Sequence, residues 1–151
     1  MKLRFLIILL YLFVALDTSA QETTISWLSF DELNIHFKEE QKPILIFIHA
    51  DWCKFCKMQE NTTFKDSLII AKLNQGYYTI KLNAESKKTV RFFGREYSYD
   101  QEGGFHQLAT YLGNSNGKLE LPTTVLLNER LEPIYRKSAL VSQEEMKVIL
   151  K

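Results

Sequence analysis

The chain of 151 residues carries 19 lysine and arginine against 18 aspartate and glutamate side chains, a formal charge of +1, and is 46% hydrophobic with 13% aromatic residues. That length suits one domain with its own core, and the balanced charge leaves no electrostatic footprint for a nucleic-acid partner. With two cysteines in all, Cys53 and Cys56, no disulfide framework holds the fold together.

The first twenty residues differ from the rest. Met1-Lys-Leu-Arg4 supplies positive charge, Phe5 to Leu16 is an unbroken apolar run, and Thr18-Ser-Ala20 ends in small residues. This is the pattern of a secretory signal peptide cleaved after Ala20. Twelve helical residues rise only about 18 Å, short of a hydrocarbon core about 30 Å thick. The expected division is a signal peptide over 1–20 and one domain over 21–151. Without the leader, 17 basic and 17 acidic side chains remain. The expected location is periplasmic or otherwise extracytoplasmic, with no stable membrane association after cleavage.

Further along, Ser29 or Asp31 caps a helix expected from about Asp31 to Gln41, with Leu33, Ile35 and Phe37 as its apolar residues. Lys42-Pro43 stops it. Ile44 to Ile48 is continuous, apolar and largely β-branched, as suits a strand buried on both faces. From Cys53 to about Leu73 there is no glycine or proline, which predicts a long helix or two abutting ones broken near Asn61-Thr-Thr63. Asn74-Gln-Gly76 ends that stretch, and Tyr77 to Leu82 alternates as a second strand.

Thr89 to Tyr99 reads as an aromatic hairpin turning at Gly94-Arg95, followed by a flexible Asp100 to Gly104 and a helix from Phe105 to Leu112. Thr123 to Leu127 and Ile134 to Lys137 form a strand pair around an Asn128-Glu129 turn. Ser142 then caps a terminal helix over Gln143 to Lys151. A parallel pair with a crossover helix followed by an antiparallel pair predicts an α/β fold with a mixed central sheet flanked by helices.

Four readings compete for the cysteines: a redox pair, half of a metal site, an inert structural disulfide, or two buried thiols. Cys53 falls at the start of a helix, where free backbone N–H groups and the helix dipole favour thiolate, and at the expected solvent edge. Cys56 lies one turn on, and a disulfide there closes too small a loop to stabilise much. His36, His49 and His106 are the histidines available as further ligands, and none has a recognisable metal spacing. Outside the cytosol, the expected compartment, thiol pairs persist as disulfides, which favours the redox reading.

The stretch HADWCKFCK resembles the WCxxCK active site of thioredoxin-like proteins. The longer ADWCKFCKMQENTTFKDSLIIAKLNQGYYTIKLNAE is similar to exported bacterial thioredoxin-domain, thiol:disulfide interchange proteins. The resemblance spans about Trp27 to Lys151. It implies a thioredoxin fold with a small aromatic hairpin insertion, and an oxidoreductase that exchanges electrons with protein thiols and disulfides and with a redox partner. It needs no metal or organic cofactor. By resemblance Cys53 is the nucleophile and Cys56 the resolving thiol. Trp52, Leu121 and Pro122 bind substrate, with Leu121-Pro122 as the family's cis-proline.

Three departures accompany the resemblance. Phe47 stands where thioredoxins have a buried aspartate, leaving Asp51 and His49 as candidates for that role. Lys54-Phe55 replaces Gly-Pro, and the Thr89 to Tyr99 hairpin expands a connection that is usually short. The hairpin is read either as a substrate flap or as a cover for the sheet edge, and cover is the favoured reading. A rival function, a noncatalytic thioredoxin-fold module that binds peptides or assists folding, keeps the groove without the chemistry.

Overall fold

In the computed structural model, which describes residues 23–114 and 117–150, the chain order is as follows. Strand β1 (Trp27–Leu28) leads into helix α1 (Phe30–Glu39), β2 (Ile44–His49) and α2 (Lys54–Asn61). A 3-10 turn (Thr63–Lys65) precedes α3 (Ser67–Gly76) and β3 (Tyr78–Asn83). A small hairpin, β4 (Val90–Phe92) and β5 (Arg95–Tyr97), is followed by α4 (Gln107–Gly113), β6 (Thr123–Leu127), β7 (Pro133–Lys137) and α5 (Gln143–Ile149). The expected leader, Met1 to Ala20, lies outside the described residues.

Five strands form one sheet in the order β1-β3-β2-β6-β7. β2 is parallel to β3 and antiparallel to β6. Because β2 is central, its side chains are buried on both faces, which is why Ile44 to Ile48 reads as an unbroken apolar run. Alternation sorts them. Ile44, Ile46 and Ile48 pack with Leu33, Ile80 and Leu108 on the face covered by α1 and α4. Leu45 and Phe47 pack with Ile69, Ile70, Met146 and both cysteines under α2, α3 and α5. Each such fully buried Leu or Ile contributes about 1.5–3 kcal/mol relative to exposure.

Helix α1 begins at Ser29 through a reciprocal box: its hydroxyl accepts the Glu32 N–H while the Glu32 carboxylate accepts the Ser29 N–H. The helix buries Leu33 and Phe37, four residues apart. Ile35 is 58% exposed on the opposite face and takes no part in the core. The expected break near Thr62 is the 3-10 turn, and Asp66 restarts the chain as α3 by accepting the N–H groups of Leu68 and Ile69. Asp66 also pairs with Lys147 of α5 at 2.6 Å, which together with its bonds to the helix start holds its carboxyl below the usual range.

Three expectations are corrected. β1 is not foreseen from the sequence, since two residues show no periodicity; it pairs with Thr79 and Ile80, and Trp27 packs on Phe47 and Phe64. The hairpin turns at Phe93-Gly94, one residue earlier than expected, with φ of 46° and 85°. Positive φ at both central positions is the I′ geometry that matches strand twist, and Phe93 accepts it because its ring packs on Phe37 and Phe92. The fourth helix starts at Gln107, because His106 sits outside it as the cap.

The hairpin is fastened to α1. Asn34 donates to the Arg91 carbonyl and accepts the Phe93 N–H, and Phe92 meets Phe30 edge to face. The excursion that carries it closes on itself, the His106 N–H donating to the Ala84 carbonyl at 2.6 Å. The His106 ring is enclosed. Its Nδ1 accepts the Leu108 N–H, so its Nε2–H donates to the Lys88 carbonyl. Among the described residues no helix is long and apolar enough to cross a membrane.

Candidate active site

β2 ends at His49, Ala50 to Trp52 turn the chain, and Cys53 caps α2. The turn is closed by the Cys53 N–H donating to Ala50, and the Cys53 Sγ accepts the Cys56 N–H at 3.1 Å. The two sulfurs are joined as a disulfide with Cα atoms 5.2 Å apart. Cys53 is enclosed rather than at a solvent edge, because its sulfur turns inward to the cap and the bridge. Both cysteines are buried, Cys53 at 3% and Cys56 at 1% exposed. The first turn of α2 carries Lys54 and no acidic residue, so nothing there opposes the positive helix end.

Trp52 and Phe55 stand exposed on either side of Cys53 in sequence, at 63% and 61%. Trp52 is oriented by its indole N–H, which donates to Glu85 at 3.1 Å. Both border a cleft of about 640 Å³ whose other lining comes from Phe105, from 118–122 and from 137–140. Leu121 lines it and also packs against the cluster holding both cysteines. The Leu121–Pro122 peptide bond is cis. The structure thus brings Trp52, Leu121 and Pro122 together at one cleft, beside the helix that carries the disulfide.

Phe47 fills the place of the absent aspartate with an aromatic cluster, its ring 5.0 Å from Phe64 and 6.3 Å from Trp27. Of the two substitutes named from the sequence, Asp51 is exposed and accepts a bond from Asn83 at 3.3 Å. His49 is half-buried and stacked on Phe47. Burial first, and then the charge of Lys81, push His49 below the usual imidazole range, so it is neutral at pH 7.

The carboxylate nearest in chain order to Cys56 along its own helix face is Glu60. Sequence reasoning passed over it, although four-residue spacing on a helix was the available signal. Glu60 pairs at 2.9 Å with Lys81, which sits opposite Phe47 in the sheet; each is about one-third exposed, at 31% and 33%.

The sequence model of the thioredoxin-like domain family matches residues 30–151. The chain is 36% identical over 70 residues to the thiol:disulfide interchange protein DsbD of Campylobacter jejuni, covering 43% of this chain and 12% of that one. It therefore spans about an eighth of the length of that relative. Among solved structures, a thioredoxin from Thermus thermophilus superposes with a TM-score of 0.59 at 15% identity, over 84% of this chain and 85% of that one. A candidate disulphide-isomerase from Bacteroides thetaiotaomicron gives 0.55 at 25% identity, over 86% and 93%.

Proposed function

Since this chain belongs to the thioredoxin-like domain family, we propose that it is a thiol:disulfide oxidoreductase acting on protein substrates through Cys53 and Cys56. The observation that carries this reading is the closed pair at the start of α2 beside an apolar cleft. A bridge across one helical turn constrains almost no chain, so its use is exchange rather than structure.

In the reducing direction the Cys53 thiolate attacks one sulfur of a substrate disulfide, and the other substrate sulfur leaves as thiolate. Cys56, deprotonated, then attacks Cys53 Sγ and displaces the second substrate thiolate. Two electrons pass to the substrate and the Cys53–Cys56 bond remains. In the oxidising direction a substrate thiolate opens the Cys53–Cys56 bond at Cys53, and the steps run in reverse. The helix start stabilises the Cys53 thiolate, and the Lys54 ammonium adds to it. Trp52, Leu121 and Pro122 hold an extended substrate segment in the cleft.

The site works outside the cytosol, in a periplasmic or equivalent compartment, after removal of 1–20. The Met1 to Ala20 pattern supports this, and an N-terminus at Gln21 in the envelope protein, read by mass spectrometry, checks it. The activity is tested by reduction of insulin with dithiothreitol as electron donor. Turnover that vanishes in Cys53→Ser is expected. A wild-type protein that binds peptide but turns over no disulfide would establish the noncatalytic module instead.

A further inference from the structure

Gln59 is a fully buried polar residue on α2, three positions beyond Cys56, with no exposed surface. A buried amide is costly unless both of its ends are bonded, and both ends of this one are. Its Nε2 donates to Thr124 Oγ1 at 3.0 Å, and its Oε1 accepts the Val141 N–H at 2.9 Å. The Val141 carbonyl is in turn taken by the Thr63 hydroxyl at 2.7 Å. The amide orientation follows from its partners, because the reversed amide would set its NH₂ against the Val141 N–H.

These two bonds run to residues just beyond two of the three segments that line the cleft away from α2. Thr124 is two residues beyond Pro122 on β6, and Val141 follows Ala139 and Leu140. One side chain on the disulfide helix therefore ties two of these walls to the element that carries the cysteines. We propose that Gln59 is a positioning residue for exchange with protein substrates, setting the seat of the cleft against the Cys53–Cys56 pair. The proposal rests on the oxidoreductase reading above. Gln59 touches no reacting atom, so its effect falls on substrates that need the cleft and spares those small enough to reach Cys53 without it.

The test compares two disulfides in the same protein: insulin, which must lie in the cleft, and dithiobisnitrobenzoate, which need not. Gln59→Met keeps the side-chain length and removes both bonds. The insulin KM is expected to rise about tenfold or more while kcat and the dithiobisnitrobenzoate rate stay within about twofold. Gln59→Glu should restore the insulin KM. A protonated carboxyl reproduces both bonds, and an ionised one still accepts from Val141 while the Thr124 hydroxyl turns to donate. Thr124→Val, which removes one bond from outside α2, gives the same split at smaller size and is the deciding variant if Gln59→Met does not fold. An equal loss on both disulfides, or no change in their ratio, overturns the positioning role in a protein that is otherwise active. A wild-type protein inactive on both disulfides overturns the oxidoreductase reading and this role with it.

Discussion

The Sγ of Cys53 accepts the backbone N–H of Cys56 while bonded to the Cys56 sulfur, so one atom both closes the disulfide and caps the helix that carries its partner. Serine is a good cap and alanine is a poor one. In the reduced protein, Cys53→Ala is therefore expected to be about 1 kcal/mol less stable than Cys53→Ser by urea unfolding. Cys56→Ser should accumulate mixed disulfides on non-reducing gels and Cys53→Ser none. Trapping by Cys53→Ser instead would reverse the assignment of nucleophile.

Glu60 follows Cys56 by four residues on α2, one helical turn, and is expected to take the proton that Cys56 loses before it resolves a mixed disulfide. Glu60→Gln should slow that step by about a hundredfold or more. Because the Glu60–Lys81 pair is a third exposed, the same change should cost less than about 1 kcal/mol of stability. Rapid-quench measurement of mixed-disulfide decay tests the rate. An unchanged rate would rule Glu60 out as the acceptor.

The hairpin packs on α1 and is expected to act as a structural cover rather than a substrate flap. Phe92 is 8% exposed and meets Phe30, so Phe92→Ala should cost about 3 kcal/mol. Insulin turnover by the folded variant should match wild type. A large change in the insulin KM with little loss of stability would make the hairpin a substrate flap after all.

Both His49 and His106 have imidazoles held below the ordinary range, by burial before any other cause. The unfolded chain binds protons at about pH 6.5 where the folded chain does not. Stability should therefore fall as pH drops below about 6.5 and level off once the folded-state values are passed. For His106 the physical reason is specific, since a proton on Nδ1 removes the acceptor for the Leu108 N–H. His106→Asn keeps a capping acceptor without titrating. Its urea midpoint should drop less than that of wild type between about pH 7.5 and about pH 5.5. Equal drops would assign the acid limb to other groups.

Much of this molecule is legible before folding because its signals are local. An apolar run from Ile44 to Ile48 reads as a central strand, and Ser29 and Ser142 announce helix starts through their own side chains, whereas the restart at Asp66 is not foreseen. The cysteines carry their chemistry in their spacing. What stays hidden depends on partners distant in the chain. Trp27-Leu28 is a strand only because β3 lies beside it. Phe93 turns with positive φ only because Phe37 receives its ring, where turn chemistry alone favours starting at Gly94. The cleft draws on four separate segments, and the bonds from Gln59 span 65 and 82 residues, beyond any periodicity.

The excursion bearing the hairpin leaves the sheet after β3 and returns where the His106 N–H meets the Ala84 carbonyl. Its own two strands pair with each other and with no strand of the main sheet. Departure and return thus share one hydrogen bond, and the intervening chain behaves as a cassette. Loop-closure entropy changes slowly with length, so a shorter turn or a foreign recognition hairpin could be grafted between these two anchors without shifting the register of any central strand. The graft must present apolar side chains to Phe30 and Phe37, which the native hairpin now covers. Evolution and protein engineering alike therefore have a site for new specificity that lies outside the sheet carrying the chemistry.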